Sequence, residues 1–173
     1  MPADENFSIL DDDGAKLPWY KTYDGRLIFF AKDVPAKGFK VFRIEEGSKS
    51  TAKPITVESR CVENRFFKVC FDENMNISSL IHKASGRAVA PEGEVLNKII
   101  AYTDQPFNHD AWDIKAYFDQ QSTEINDVSS VDVLENNEVR AVIRVTRKFL
   151  SSTIEQSFIF YADIDRIDVD YKI

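Results

Sequence analysis

Apolar and polar residues alternate with a period of two along most of the chain. Across residues 138–149, Val139, Ala141, Ile143 and Val145 fall on one side. Glu138, Arg140, Arg144 and Thr146 fall mostly on the other, which is the pattern of a strand with one face packed and one in water. Residues 166–173 repeat it, with Ile167, Val169, Tyr171 and Ile173 set against Arg166, Asp168, Asp170 and Lys172. Further strands are predicted at residues 26–32, 39–44, 66–72, 77–83, 96–102, 128–134 and 153–161. No long stretch keeps helical periodicity, so the fold class is all-β.

The segments "DDDG", "YDG", "DENMN", "ASG", "PEG" and "LENNE" separate these runs and supply the Asp, Asn and Gly that tolerate turn dihedrals, as an antiparallel protein requires. Residues 46–54, "EGSKSTAKP", lose apolar character and read as a linker. The division expected is therefore a small β segment with its linker over 1–54 and a larger all-β unit over 55–173. The first is marginal by itself on surface-to-volume grounds. The last strand is patterned up to Ile173, so the chain is expected to be a piece of a larger protein, with an unpaired edge that invites self-association.

Composition narrows the partners. The 173 residues carry 29 acids against 22 bases, a formal charge of −7, which repels nucleic acid and anionic membrane surfaces. No apolar run approaches the length of about 20 residues needed to span a bilayer. Cys61 and Cys70 lack a metal-ligand pattern, and the first residues lack a secretory signal, so a cytoplasmic location is expected.

Candidate chemistry concentrates in "TDQPFNHDAWDIKAYF", residues 103–118. His109, Asp110 and Asp113 have no second histidine nearby and no helix to align them, which argues against a metal site. Asp110 and Asp113 fit either a glycosidase carboxylate pair or turn formers that accept backbone hydrogen bonds, and spacing alone favours the turn. Trp112, Phe107, Tyr117 and Phe118 suit a sugar-stacking platform or a sandwich core. His82, beside a turn in "LIHKASG", reads as a surface histidine.

The blocks "VENRFFKVCFDENMNISSLIHKASGRAVAPEG", "LNKIIAYTDQPFNHDAWDIKAYF" and "EVRAVIRVTRKFLSSTIEQSFIFYADIDRIDVDYKI", in this order, resemble the region after the catalytic domain in α-mannosidases of glycoside hydrolase family 38, the cytosolic and bacterial branch. Glu63, Asn64, Ser79, Leu80, Arg87, Asn97, Asp104, Pro106, Asp110, Ala111, Trp112, Asp113, Ile114, Tyr117, Ser152, Ile154 and Gln156 stand at positions matching the family pattern. His82, His109 and Phe118 depart from it. The resemblance runs over roughly 59–173, and "DVPAKGFKVFRI" is similar to the strand that closes the preceding small domain.

The resemblance implies the end of a small immunoglobulin-like β domain followed by the first part of a large antiparallel supersandwich, similar to galactose mutarotase. It implies a retaining α-mannosidase whose catalytic domain, lying elsewhere in the parent chain, holds a divalent metal, usually zinc, and the aspartate nucleophile. No catalytic residue, metal ligand or cofactor site is carried over to this chain, which alone is expected to hydrolyse nothing. The expected partners are the catalytic domain, the remaining C-terminal strands and, in the parent, a mannoside. Asp110, Trp112, Asp113 and Tyr117 would form a loop at the domain interface or near the substrate. The rival readings are a free-standing carbohydrate-binding module, with Trp112, Tyr117 and Phe118 as platform, and a structural interaction domain.

Overall fold

The computed structural model describes residues 6–48, 54–105, 107–109, 112, 114 and 116–173. Apart from one 3₁₀ turn at Phe118–Gln120, every regular element among them is a strand. Short strands come first: β1 (Phe7–Leu10), β2 (Lys16–Leu17), β3 (Trp19–Lys21), β4 (Leu27–Phe29) and β5 (Arg43–Glu46). β1 lies between β2 and β5, and β3 pairs with β4. Phe7, Ile9 and Trp19 fill the small core, with the Phe7 and Trp19 rings stacked 4.0 Å apart. The strand expected at 39–44 forms later, over Arg43–Glu46, because the pairing that defines it runs from Phe7–Glu46 to Leu10–Arg43. Phe39 is left exposed.

A five-stranded antiparallel sheet follows, β6 (Thr56–Glu58), β7 (Cys61–Glu63), β8 (Phe67–Phe71), β9 (Ile77–His82) and β10 (Arg87–Ala88), each paired to the next. Next comes a ribbon of β11 (Ile100–Tyr102) and β12 (Ser122–Glu124). Four longer strands then form a meander: β13 (Val128–Asn136), β14 (Arg140–Phe149), β15 (Ser152–Tyr161) and β16 (Ile167–Lys172).

The larger core joins the five-stranded sheet to the meander face to face. Val62, Val69, Phe71 and Ile77 meet Ala141, Ile143, Val145, Phe158 and Phe160, and Phe71 touches Phe158 edge-on at 4.9 Å between ring centroids. The alternation predicted for β14 is realised, since Val139, Ala141, Ile143 and Val145 are all buried. The next inward position is Arg147, which is fully buried. Glu138, expected on the watery side, is also buried, because the N-terminal strands and loops cover the turn that carries it.

Register also explains a bond the sequence reading did not anticipate. The β7–β8 hairpin sets Cys61 opposite Cys70, with Cα atoms 4.1 Å apart, and the two form a disulfide. Reduction of this short loop is expected to lower unfolding stability by about 2–3 kcal/mol, measured by urea denaturation with and without dithiothreitol. Equal stability in both conditions would mean that the bond does not form in solution.

Candidate functional site

The segment from Thr103 to Gln121 connects β11 to β12, and the Thr103 N–H to Gln121 C=O bond of 2.9 Å closes its base. Asp110 and Asp113 lie outside the described residues. Trp112 and Tyr117 are described. The Trp112 N–H donates to the His109 carbonyl at 2.7 Å, and His109 takes a left-handed φ of 58° to make that turn. The indole is 91% exposed, with Phe107 at 83% and Ile114 at 70%, so Trp112 contributes no packing to either core. Tyr117 is 42% exposed. Phe118 is half-buried and lies against Tyr102 at 5.0 Å, the one aromatic contact that ties this loop to its ribbon among the described residues.

Other residues of the family pattern do something different. Asn64 accepts the Phe66 and Phe67 N–H groups at 2.9 and 2.6 Å, which turns the β7–β8 hairpin, and donates across to the Tyr161 carbonyl at 2.8 Å. Gln156 is fully buried in β15. Its Oε1 accepts from Arg147 at 2.8 Å and its Nε2 donates to the Tyr171 hydroxyl at 2.8 Å. Tyr171 in turn donates to Asn97 Oδ1 at 2.8 Å. Arg147 also reaches the Asn74 carbonyl at 2.6 Å. No described carboxylate pairs with this guanidinium, and burial pushes its pKa down from the ordinary arginine value. Asn97, Tyr171, Gln156 and Arg147 thus form a polar chain that fixes β14, β15 and β16 relative to the turn before β9.

His82 is hydrogen-bonded at both ring nitrogens, to Ser85 Oγ at 2.8 Å and Asp165 Oδ2 at 3.2 Å. That trio joins the β9–β10 turn to the β15–β16 turn. It reverses the ring nitrogens of a hydrolytic triad, in which Nε2 faces the serine and Nδ1 the acid.

For a cation, the close acid group among the described residues is Asp11, Asp12 and Asp13, with candidate ligand atoms within 4.8 Å. Asp11 already accepts backbone N–H bonds from Asp13 and Ala15, and Asp12 pairs with Lys40 at 3.2 Å. A hydrogen bond from that ammonium holds Asp12 below the usual carboxylate range. These are turn-forming acids, and three carboxylates without a histidine do not fit a catalytic zinc site of nitrogen and oxygen ligands with an open position.

The β13–β14 turn carries the buried ionisable groups that pattern reading missed. The Glu135 side chain has no exposed surface, pairs with Arg140 through two bonds of 2.6 and 3.0 Å, and accepts the Tyr23 N–H at 3.2 Å. The carboxylate beside Arg140 raises its pKa. "LENNE" shows turn chemistry in the sequence and gives no signal that distant residues will bury it.

The model for the glycosyl hydrolases family 38 C-terminal domain matches residues 62–173. The chain is similar to alpha-mannosidase G of Dictyostelium discoideum, 26% identical over 118 residues, a stretch that is 65% of this chain and 11% of that protein.

Gln156→Leu is expected to cost about 2–4 kcal/mol in urea unfolding, because it leaves Arg147 and Tyr171 without their buried partner. Trp112→Ala is expected to change stability by less than about 0.5 kcal/mol, because the indole packs on nothing described. The reverse ranking would show that the exposed loop, and not the polar chain, holds the sandwich together. By the match over 62–173, the chain belongs to the glycosyl hydrolase family 38 C-terminal domain family.

Proposed function

We propose that this chain is a non-catalytic β-sandwich portion of a retaining α-mannosidase that removes terminal α-D-mannosyl residues. The observation that carries the reading is the family match over 62–173, supported by the similarity to an alpha-mannosidase. This reading assigns the hydrolytic machinery and its zinc to a catalytic domain of the parent, and a matched stretch that is 11% of that relative is consistent with it. The role of this chain is support. Two antiparallel sheets with a shared apolar core make a rigid base, and the exposed Phe107, Trp112 and Ile114 are the part free to touch a neighbour.

Within that role, Phe107, Trp112 and Ile114 form the contact with the catalytic domain. Three exposed apolar side chains on one loop match the composition of an interface centre better than that of a free surface. The same exposure of Trp112 supports a second reading, a sugar platform on a free-standing module, since an indole face in solvent is what a pyranose stacks upon.

The first reading is tested by activity. Assayed with p-nitrophenyl α-mannoside, the chain alone is expected to release no nitrophenol, and the parent enzyme is expected to turn over. Trp112→Ala in the parent is expected to lower kcat/KM by about tenfold or more, with weakened association between the two parts when they are produced separately. An inactive wild-type parent would overturn the α-mannosidase assignment. An unchanged variant would remove Trp112 from the interface.

A further inference from the structure

The four-stranded meander ends in β16, and among the described residues no strand pairs with the far edge of β16. Its pairing with β15 runs without a register shift from Phe160–Ile167 to Glu155–Lys172. Alternate N–H and C=O groups of a regular six-residue strand therefore point outward along that edge. The other outer strands of the two large sheets are poorer templates. β6 and β10 have three and two residues, and β13 carries register shifts on both sides of residues 130–133, the irregularities that blunt an edge.

The side chains along this edge are their own complement. Val169 and Tyr171 lie opposite Phe158 and Gln156 on the inward face, and Asp170 and Lys172 lie opposite Ser157 and Glu155 on the outward one. Tyr171 is 47% exposed and Ile173, the next inward position, 85%. Glu155 pairs with Arg144 at 3.7 Å, and neither Asp170 nor Lys172 makes a side-chain ion pair or hydrogen bond with a described residue. Against a second copy laid antiparallel with the two-fold axis at Tyr171, Asp170 of each strand faces Lys172 of the other. Val169 then faces Ile173, and the two Tyr171 rings meet on the axis. Moving the axis to Val169 sets Asp168 against Asp170, and moving it to Asp170 sets that acid against itself. An in-register parallel pairing sets every charge beside its like. The axis at Tyr171 is thus the register in which both unpaired charges find opposite ones. The Tyr171 hydroxyl is already held by Gln156 and Asn97, so its ring is oriented before a partner arrives.

We propose that this chain forms a symmetric dimer by antiparallel pairing of two β16 edges over residues 169–173, which joins two meanders into one continuous sheet. The contact is short and belongs with weak, concentration-dependent associations. A formal charge of −7 on each copy opposes it at low ionic strength, so salt favours the dimer until it screens the Asp170–Lys172 pairs themselves. Pairing requires neither hydrolysis nor the α-mannosidase assignment.

Sedimentation velocity of the full chain at physiological ionic strength, from about 10 µM to about 1 mM, is expected to show a reversible monomer–dimer equilibrium. Asp170→Lys and Lys172→Asp each turn both opposite pairs into like ones, and each is expected to weaken the dimer by about tenfold or more with an unchanged circular dichroism spectrum. An equimolar mixture of the two variants is expected to recover wild-type association, because the lysine pair of one then faces the aspartate pair of the other. In a wild-type dimer assembled from isotope-labelled and unlabelled chains, filtered NOEs are expected between the Val169 methyl groups of one copy and the Ile173 methyl groups of the other. A monomer at every concentration, a dimer indifferent to both charge reversals, or a mixture without recovery would overturn the proposal. So would loss of the dimer in Trp112→Ala or Phe39→Ala, which would move the contact to another exposed aromatic side chain. Should a charge variant fail to fold, the filtered NOEs on the wild-type chain decide.

Discussion

The contact between Phe71 and Phe158 is the point on which the larger unit depends. Phe158 has no exposed surface, and around it the inward residues of β8 and β9 close over those of β14 and β15. Neither sheet is stable as an isolated layer, because each carries one apolar face that water would otherwise wet. Once the two faces meet, strand direction and register are set on both sides, since a slip of one residue would turn Val145 outward and Arg144 inward. The polar chain from Asn97 to Arg147 adds specificity to that contact. It sits on the same inward face as the core and tolerates one arrangement of β14, β15 and β16.

What pattern alone reveals follows from the length scale of each feature. β14 and β15 are ten residues long, enough for alternation to emerge, and both were legible within a residue or two of their ends. β1, β2, β3, β6, β7 and β12 have two to four residues each, too short for a period of two to stand out from chance. Their pairing comes from neighbours. The burial of Glu135 is the clearest case of what local reading cannot reach, because it depends on Tyr23, 112 residues away. Period-two analysis assigns Glu138 to solvent by its side of the strand and has no means of knowing that another unit stands there.

The resemblance residues divide in a way that sequence cannot display. Asn64, Asn97 and Gln156 are tethers whose hydrogen bonds join segments distant in sequence. Trp112, at another matching position, is bare. A string of letters gives both kinds the same weight. Only surface area separates a residue that holds the fold from one that the fold holds out, and the exposure of an aromatic residue is decided by whether a second layer lies over it.

The seam at the β13–β14 turn bears on how the polypeptide can be divided. The stretch at 46–54, which reads as a linker, looks like the natural place to cut. Across the surface the cut is not clean. Removing the N-terminal strands would hydrate Glu135 and Glu138 together and leave Arg140 in an acidic, solvent-facing hairpin tip. The excised N-terminal piece would in turn carry the bared flank of Leu17 and Pro18. The two halves would therefore differ from the intact chain in colloidal behaviour, one more soluble and the other more prone to clump.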